Sequence, residues 1–107
     1  MLYMNDYDLA CAKSRYDGGD TPNRYALVVV VSRLREWANN NSDGWAYWPK
    51  PVRAAKRAIE LINGNESADI TVADMNAALR PIKAFMTRQN VCVCEREYIL
   101  PEYLVGS

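Results

Sequence analysis

The residue types best suited to chemistry gather between positions 45 and 57. Trp45, Tyr47 and Trp48 stand directly before Lys50, Arg53, Lys56 and Arg57. Aromatic rings stack on flat ligands, and cations beside a helix N-terminus hold phosphate, so the segment suits an anionic partner. On one helix Lys50, Arg53 and Arg57 fall at i, i+3 and i+7, opposite Val52 and Ile59, with Lys56 beside them. The same pattern also describes the solvated side of an ordinary amphipathic helix, with tryptophans that fill or cap a core. Tryptophan, tyrosine and arginine are, besides, the types enriched where protein partners grip one another most strongly.

Missing residue types remove most catalytic chemistry. The chain has no histidine, so it can build no Ser-His-Asp or Cys-His arrangement and has no imidazole base. Its three cysteines fall short of a four-cysteine zinc site, and no histidine can complete one. No phosphate-binding glycine loop or dinucleotide glycine fingerprint occurs. Carboxylates, tyrosines and lysines remain for proton transfer, but no pairing of them stands out. The sequence therefore predicts a non-enzymatic protein with no metal and no cofactor.

Two smaller constellations have ordinary readings. Cys92 and Cys94 would face one side of a strand, and small buried apolar residues are the expected role for them and for Cys11. An odd cysteine count with one close pair is unlike a disulfide framework and favours a reduced, cytoplasmic setting. Asp17-Gly18-Gly19-Asp20 lacks the further oxygen ligands and closing glutamate of a calcium loop, which leaves a solvated turn.

Charge narrows the partners. The 107 residues hold 13 bases and 13 acids, unlike a non-specific DNA coater or an acidic DNA mimic. Residues 24 to 88 carry ten bases against six acids, so the middle is positive and the ends are acidic. Half the chain is hydrophobic, which suits folding around a core. The longest apolar run, Tyr25 to Val31, has seven residues, far below a membrane span. The first residues, Met1 to Asp6, show none of the regions of a signal peptide.

These residues need elements to hold them. A first helix is expected over 5 to 16, capped by Asn5 and Asp6, before the glycine turn. Thr21-Pro22 opens a second over 22 to 39, with Leu27, Val30, Val31, Leu34, Trp37 and Ala38 at helical spacing. Four consecutive valines make a strand over 25 to 31 the competing reading, but the helical pattern continues past them. Asn39 to Gly44 is a loop by composition. The prolines at 49 and 51 bring an extended approach to a third helix, from Pro51 to about Asn63, where Asn63-Gly64 offers a left-handed ending.

Thr71 and Asp74 stand at capping-box spacing, flanked by Ile70 and Met75 as a hydrophobic staple. Val72, Met75, Leu79, Ile82 and Met86 continue as a stripe that Pro81 should kink. Beyond Asn90, Val91-Cys92-Val93-Cys94 and Tyr98-Ile99-Leu100-Pro101 read as an extended C-terminal arm, with one short strand at most. The expected fold is mainly α: a single-domain bundle, residues 1 to 107, of about four helices and that arm.

The functional expectation is a small interaction or regulatory protein that binds a larger protein partner. A compact domain with no catalytic inventory is the profile of small accessory proteins of phages and mobile elements, so an inhibitor of a host system is one expected form. Trp45, Tyr47, Trp48, Lys50, Arg53, Lys56 and Arg57 would form the partner-binding face, and a plainer reading is a subunit whose apolar surface closes a homo-oligomer. The alternative is a nucleic-acid, nucleotide or phosphate-ligand module using residues 45 to 57. Against a helix-turn-helix, the links at 39–50 and 64–71 are far longer than that motif's turn of three to four residues.

Overall fold

A computed structural model describes residues 21–41, 49–64 and 68–100. The expected helix over 5–16, the turn at 17–20, Cys11 and the aromatic residues Trp45, Tyr47 and Trp48 lie outside them. Five helices are described: α1 (Pro22–Asn41), α2 (Pro49–Ala54), α3 (Lys56–Ile62), α4 (Val72–Arg88) and α5 (Val93–Ile99). Among the described residues there is no strand, and no helix is long and apolar enough to cross a membrane. The fold is a small helical bundle.

The valine run belongs to α1, and packing explains why helix wins over strand. α1 lies against α2, α3, α4 and α5, which cover a broad face of it and leave Ser32 and Glu36 exposed. Leu27, Val28, Val30, Val31 and Leu34 are each at most 1% exposed. Val29 is only partly buried, so the run follows helical spacing, with a face wide enough to take in both 27–28 and 30–31. Burying each such side chain contributes about 1.5–3 kcal/mol, which outweighs the few tenths that β-branching costs a helix. α1 also runs two residues past the expected end at 39. In its last turn Asn41 Nδ2 donates to the Trp37 carbonyl at 3.1 Å, folding that side chain back onto the helix.

The start of α1 is held from a distance. Thr21 was expected as its cap, but the Asp69 carboxylate accepts from the backbone N–H of Asn23 at 3.2 Å and of Arg24 at 3.0 Å. Asn23 Nδ2 donates to the Ile70 carbonyl at 2.8 Å. The Arg24 side chain, 3% exposed, turns inward and donates to the carbonyls of Leu61, Ile62 and Ala68. Leu61 and Ile62 end α3, where the last carbonyls have no partner in their own helix. Two residues of α1 thus clasp the end of α3 and the approach to α4. Asp69→Ala should cost about 1–2 kcal/mol, lowering the thermal midpoint by about 4–8 °C per kcal/mol. Circular dichroism melting checks this, and an unchanged midpoint would contradict the clasp.

α4 carries the best-signalled boundary. Thr71 is the N-cap, and its Oγ1 accepts the Asp74 N–H at 3.1 Å. Ile70 and Met75 are both buried, as a staple requires. Of the expected stripe, Met75, Leu79, Ile82 and Met86 are buried, joined by Ala78 and Phe85. Val72 departs from it and is 50% exposed. α4 continues undivided through Pro81, whose ring lies on the exposed side.

Three further expectations are corrected. The third helix begins at Pro49, since both prolines fit a first turn whose N–H groups would lack partners anyway. It is divided at Ala55, whose φ of −89° and ψ of 0° lie outside the helical well. The left-handed ending is not at Asn63-Gly64, since Asn63 has φ −87° and Gly64 does not adopt a left-handed φ either. It occurs at Asn90, with φ 56°, after α4. There Asn90 N–H donates to Thr87 at 3.2 Å and Val91 N–H to Met86 at 3.1 Å, the paired bonds of a Schellman ending.

The third correction concerns the C-terminal arm. It is helix α5, neither extended nor a strand. Once Asn90 has turned the chain, Glu95-Arg96-Glu97 supply good helix formers, and one turn buries Ile99 and Leu100. A strand would have needed a sheet neighbour, and the described residues offer none. Cys92 and Cys94 are consequently free and exposed, where burial had been expected; Val93, at 58%, is exposed with them. Leu100, at φ −134° and ψ 79°, is extended before Pro101, as a residue preceding proline should be.

Candidate basic groove

Lys50 and Arg53, three residues apart on α2, project from one side of that helix. On α4 the positions 81, 85 and 88 recur at i, i+4 and i+7 and form one stripe. α2 packs against α4, so the two faces meet across a groove of about 480 Å³. Lys50, Arg53 and Arg88 line it, and all three side chains are exposed. Ala54, Pro81 and Phe85 supply apolar wall, and Gln89 also lines the groove. Phe85 is only 2% exposed, so it closes the bottom and offers almost no stacking face. Among the described lining residues there is no carboxylate.

The structure brings together some of the expected site and separates the rest. Lys50 and Arg53 share the groove. Lys56 and Arg57 are exposed on α3 but do not line it, because the division at Ala55 interrupts the single helix that would have aligned them. Arg57 reaches Glu60 on its own helix at 3.6 Å, with both side chains about half exposed. Such a surface pair is worth little. Trp45, Tyr47 and Trp48 lie outside the described residues. With six residues, α2 is also too short for its N-terminus to serve as an anion site. Arg88 is the residue that sequence reasoning missed. It was visible as one of the central bases, but nothing local links it to Lys50 across 38 positions.

The positive excess of residues 24 to 88 is smaller at the surface than its count. Arg24 is buried against carbonyls, and Arg33 is occupied on α5. Arg33 Nη1 donates to the Tyr98 carbonyl at 2.8 Å, and its guanidinium carbon sits 4.6 Å from the centre of the Tyr98 ring. Nearby, Trp37 Nε1 donates to Glu95 at 2.8 Å, and Tyr98 Oη to Glu36 at 3.5 Å. These contacts fasten α5 to α1. Among the described residues no group of three or more Cys, Asp or Glu could hold a metal. No known protein family, curated protein or solved structure matches the chain.

Proposed function

We propose that this chain is a non-enzymatic binding protein that docks on an acidic surface of a larger protein and regulates or inhibits it by occupying that surface. One observation carries the reading: three cations line one groove with no carboxylate among its described lining, in a chain of balanced charge. Complementary charge steers encounter and fixes register. The aromatic residues Trp45, Tyr47 and Trp48 adjoin Lys50 and Arg53 in sequence. A long nucleic acid is a poorer match. The chain carries as many acids as bases, and Arg24 and Arg33 are turned to contacts within the fold, whereas binding to a phosphate backbone draws on a broad positive surface.

The test is capture from an extract of the source organism, comparing the wild type with Arg53→Gln/Arg88→Gln at equal thermal stability. A defined acidic protein recovered with the wild type and lost with the double variant is expected. Added salt should weaken that capture, as screening of exposed charge requires. Equal recovery by both proteins, or recovery of nucleic acid in place of protein, would overturn the proposal.

A further inference from the structure

We infer that the groove of Lys50, Arg53 and Arg88 is a pocket for one phosphomonoester group carried on a side chain of the protein partner, an inference that rests on the docking role just proposed. The first ground is commitment of charge. Arg24, Arg33 and Arg57 each have a partner in the fold. Lys50, Arg53 and Arg88 make no hydrogen bond or ion pair through their side chains to any described residue, yet all three line one concavity. Cations on adjacent helices repel one another when brought together, and an anion between them removes that cost.

The second ground is the charge the groove asks for. A single carboxylate brings one negative charge and leaves two of the three cations unmatched. A phosphomonoester brings about −1.5 to −2 at neutral pH and three strong acceptor oxygens. The two guanidinium forks match pairs of those oxygens, and the lysine supplies a mobile point charge.

The third ground is shape. The groove, about 480 Å³, lies within the usual range for small-ligand sites of ~300–1,000 Å³. It is larger than a bare phosphate needs. Ala54 and Pro81 form an apolar side wall against which the stem of a phosphorylated residue rests. Because Phe85 closes the bottom, the group enters past the cations. Three cations also suit one group better than a polymer backbone.

The experiment uses the full chain and short probes, followed by isothermal titration calorimetry and amide shifts in two-dimensional NMR. The peptide Gly-Gly-phosphoserine-Gly-Gly is compared with its serine and glutamate counterparts, with AMP, and with a 20-nucleotide single-stranded DNA. Sub-millimolar binding of the phosphopeptide is expected, with shifts concentrated at residues 50–54 and 88–89. The glutamate peptide should bind at least tenfold more weakly and the serine peptide not measurably. Arg53→Gln and Arg88→Gln should each weaken phosphopeptide binding at least tenfold, whereas Arg57→Gln should leave it unchanged; heteronuclear spectra verify that each variant is folded.

Equal binding of the glutamate and phosphoserine peptides would overturn the inference yet leave acidic-surface docking standing. Tighter binding of AMP would assign the groove to a free nucleotide. Tighter binding of the DNA, with a salt slope well above that of three contacts, would assign it to a polymer. No shift at 50–54 with any probe would also overturn it, and the capture experiment would then judge the docking role alone.

Discussion

Replacing Arg24 with methionine should destabilise the fold by about 3 kcal/mol, a larger loss than any single surface change would give. Methionine preserves most of the stem's volume but removes the head that meets Leu61, Ile62 and Ala68. A buried carbonyl stripped of its donor costs about 1–3 kcal/mol; the buried Ile62 carbonyl and the part-buried Ala68 carbonyl both lose the guanidinium, while the Leu61 carbonyl keeps the Gly64 N–H at 3.3 Å. The sum is offset in part, because burying a guanidinium itself costs several kcal/mol after relaxation. A net near 3 kcal/mol corresponds to a midpoint lower by roughly 12–24 °C at 4–8 °C per kcal/mol. Arg24→Lys should restore little, since one ammonium cannot span carbonyls on two separate chain segments. Urea unfolding of both variants measures the loss, and a change below about 1 kcal/mol would show that the clasp does not hold α1 to the α3–α4 connection.

The contrast between Arg24 and the valine run shows which parts of the fold the sequence discloses. The valines are legible because periodicity is a local property: apolar residues recur at helical spacing well past position 31. Thr71 and Asp74 are legible for the same reason, since the capping hydroxyl and the N–H that donates to it stand three residues apart. Arg24 is not legible. Its burial depends on carbonyls 37 to 44 positions away, and as a residue type arginine is rarely buried. The C-terminal arm failed differently. Valines and cysteines after Asn90 carry strand propensity, but that propensity measures fit to a half-buried sheet surface, and no described strand exists for them to pair with.

The site was half legible for a related reason. Lys50 and Arg53 lie close in sequence and share a helix face whichever way the rest folds. Their grouping with Arg57 assumed one unbroken helix, and a single residue outside the helical well, Ala55, was enough to undo it. Arg88 and Phe85 joined the groove through packing of α2 on α4. A distant face cannot be assigned to a neighbour before the tertiary contacts are known. Charge counts misled in the same direction, since they weigh buried Arg24 equally with exposed Arg53.

Phe85 is where core and groove depend on the same atoms, and Phe85→Ala should reveal both. The ring is 2% exposed and meets Trp37 edge-on, with centroids 6.1 Å apart and planes at 83°. Truncating a buried phenylalanine costs about 3–5 kcal/mol, from lost transfer energy and the void left behind. Phe85→Leu retains most of the volume and forfeits mainly the edge-to-face contact, so it should cost about 1.5 kcal/mol or less. The two variants separate structure from binding. At a temperature where both remain folded, Phe85→Ala should weaken phosphopeptide binding although Lys50, Arg53 and Arg88 are all present, because the wall that sets their separation has collapsed. Phe85→Leu should bind as the wild type does. Urea unfolding gives the first quantity and calorimetry the second. Wild-type affinity in a folded Phe85→Ala protein would mean that the cations act independently of the groove beneath them.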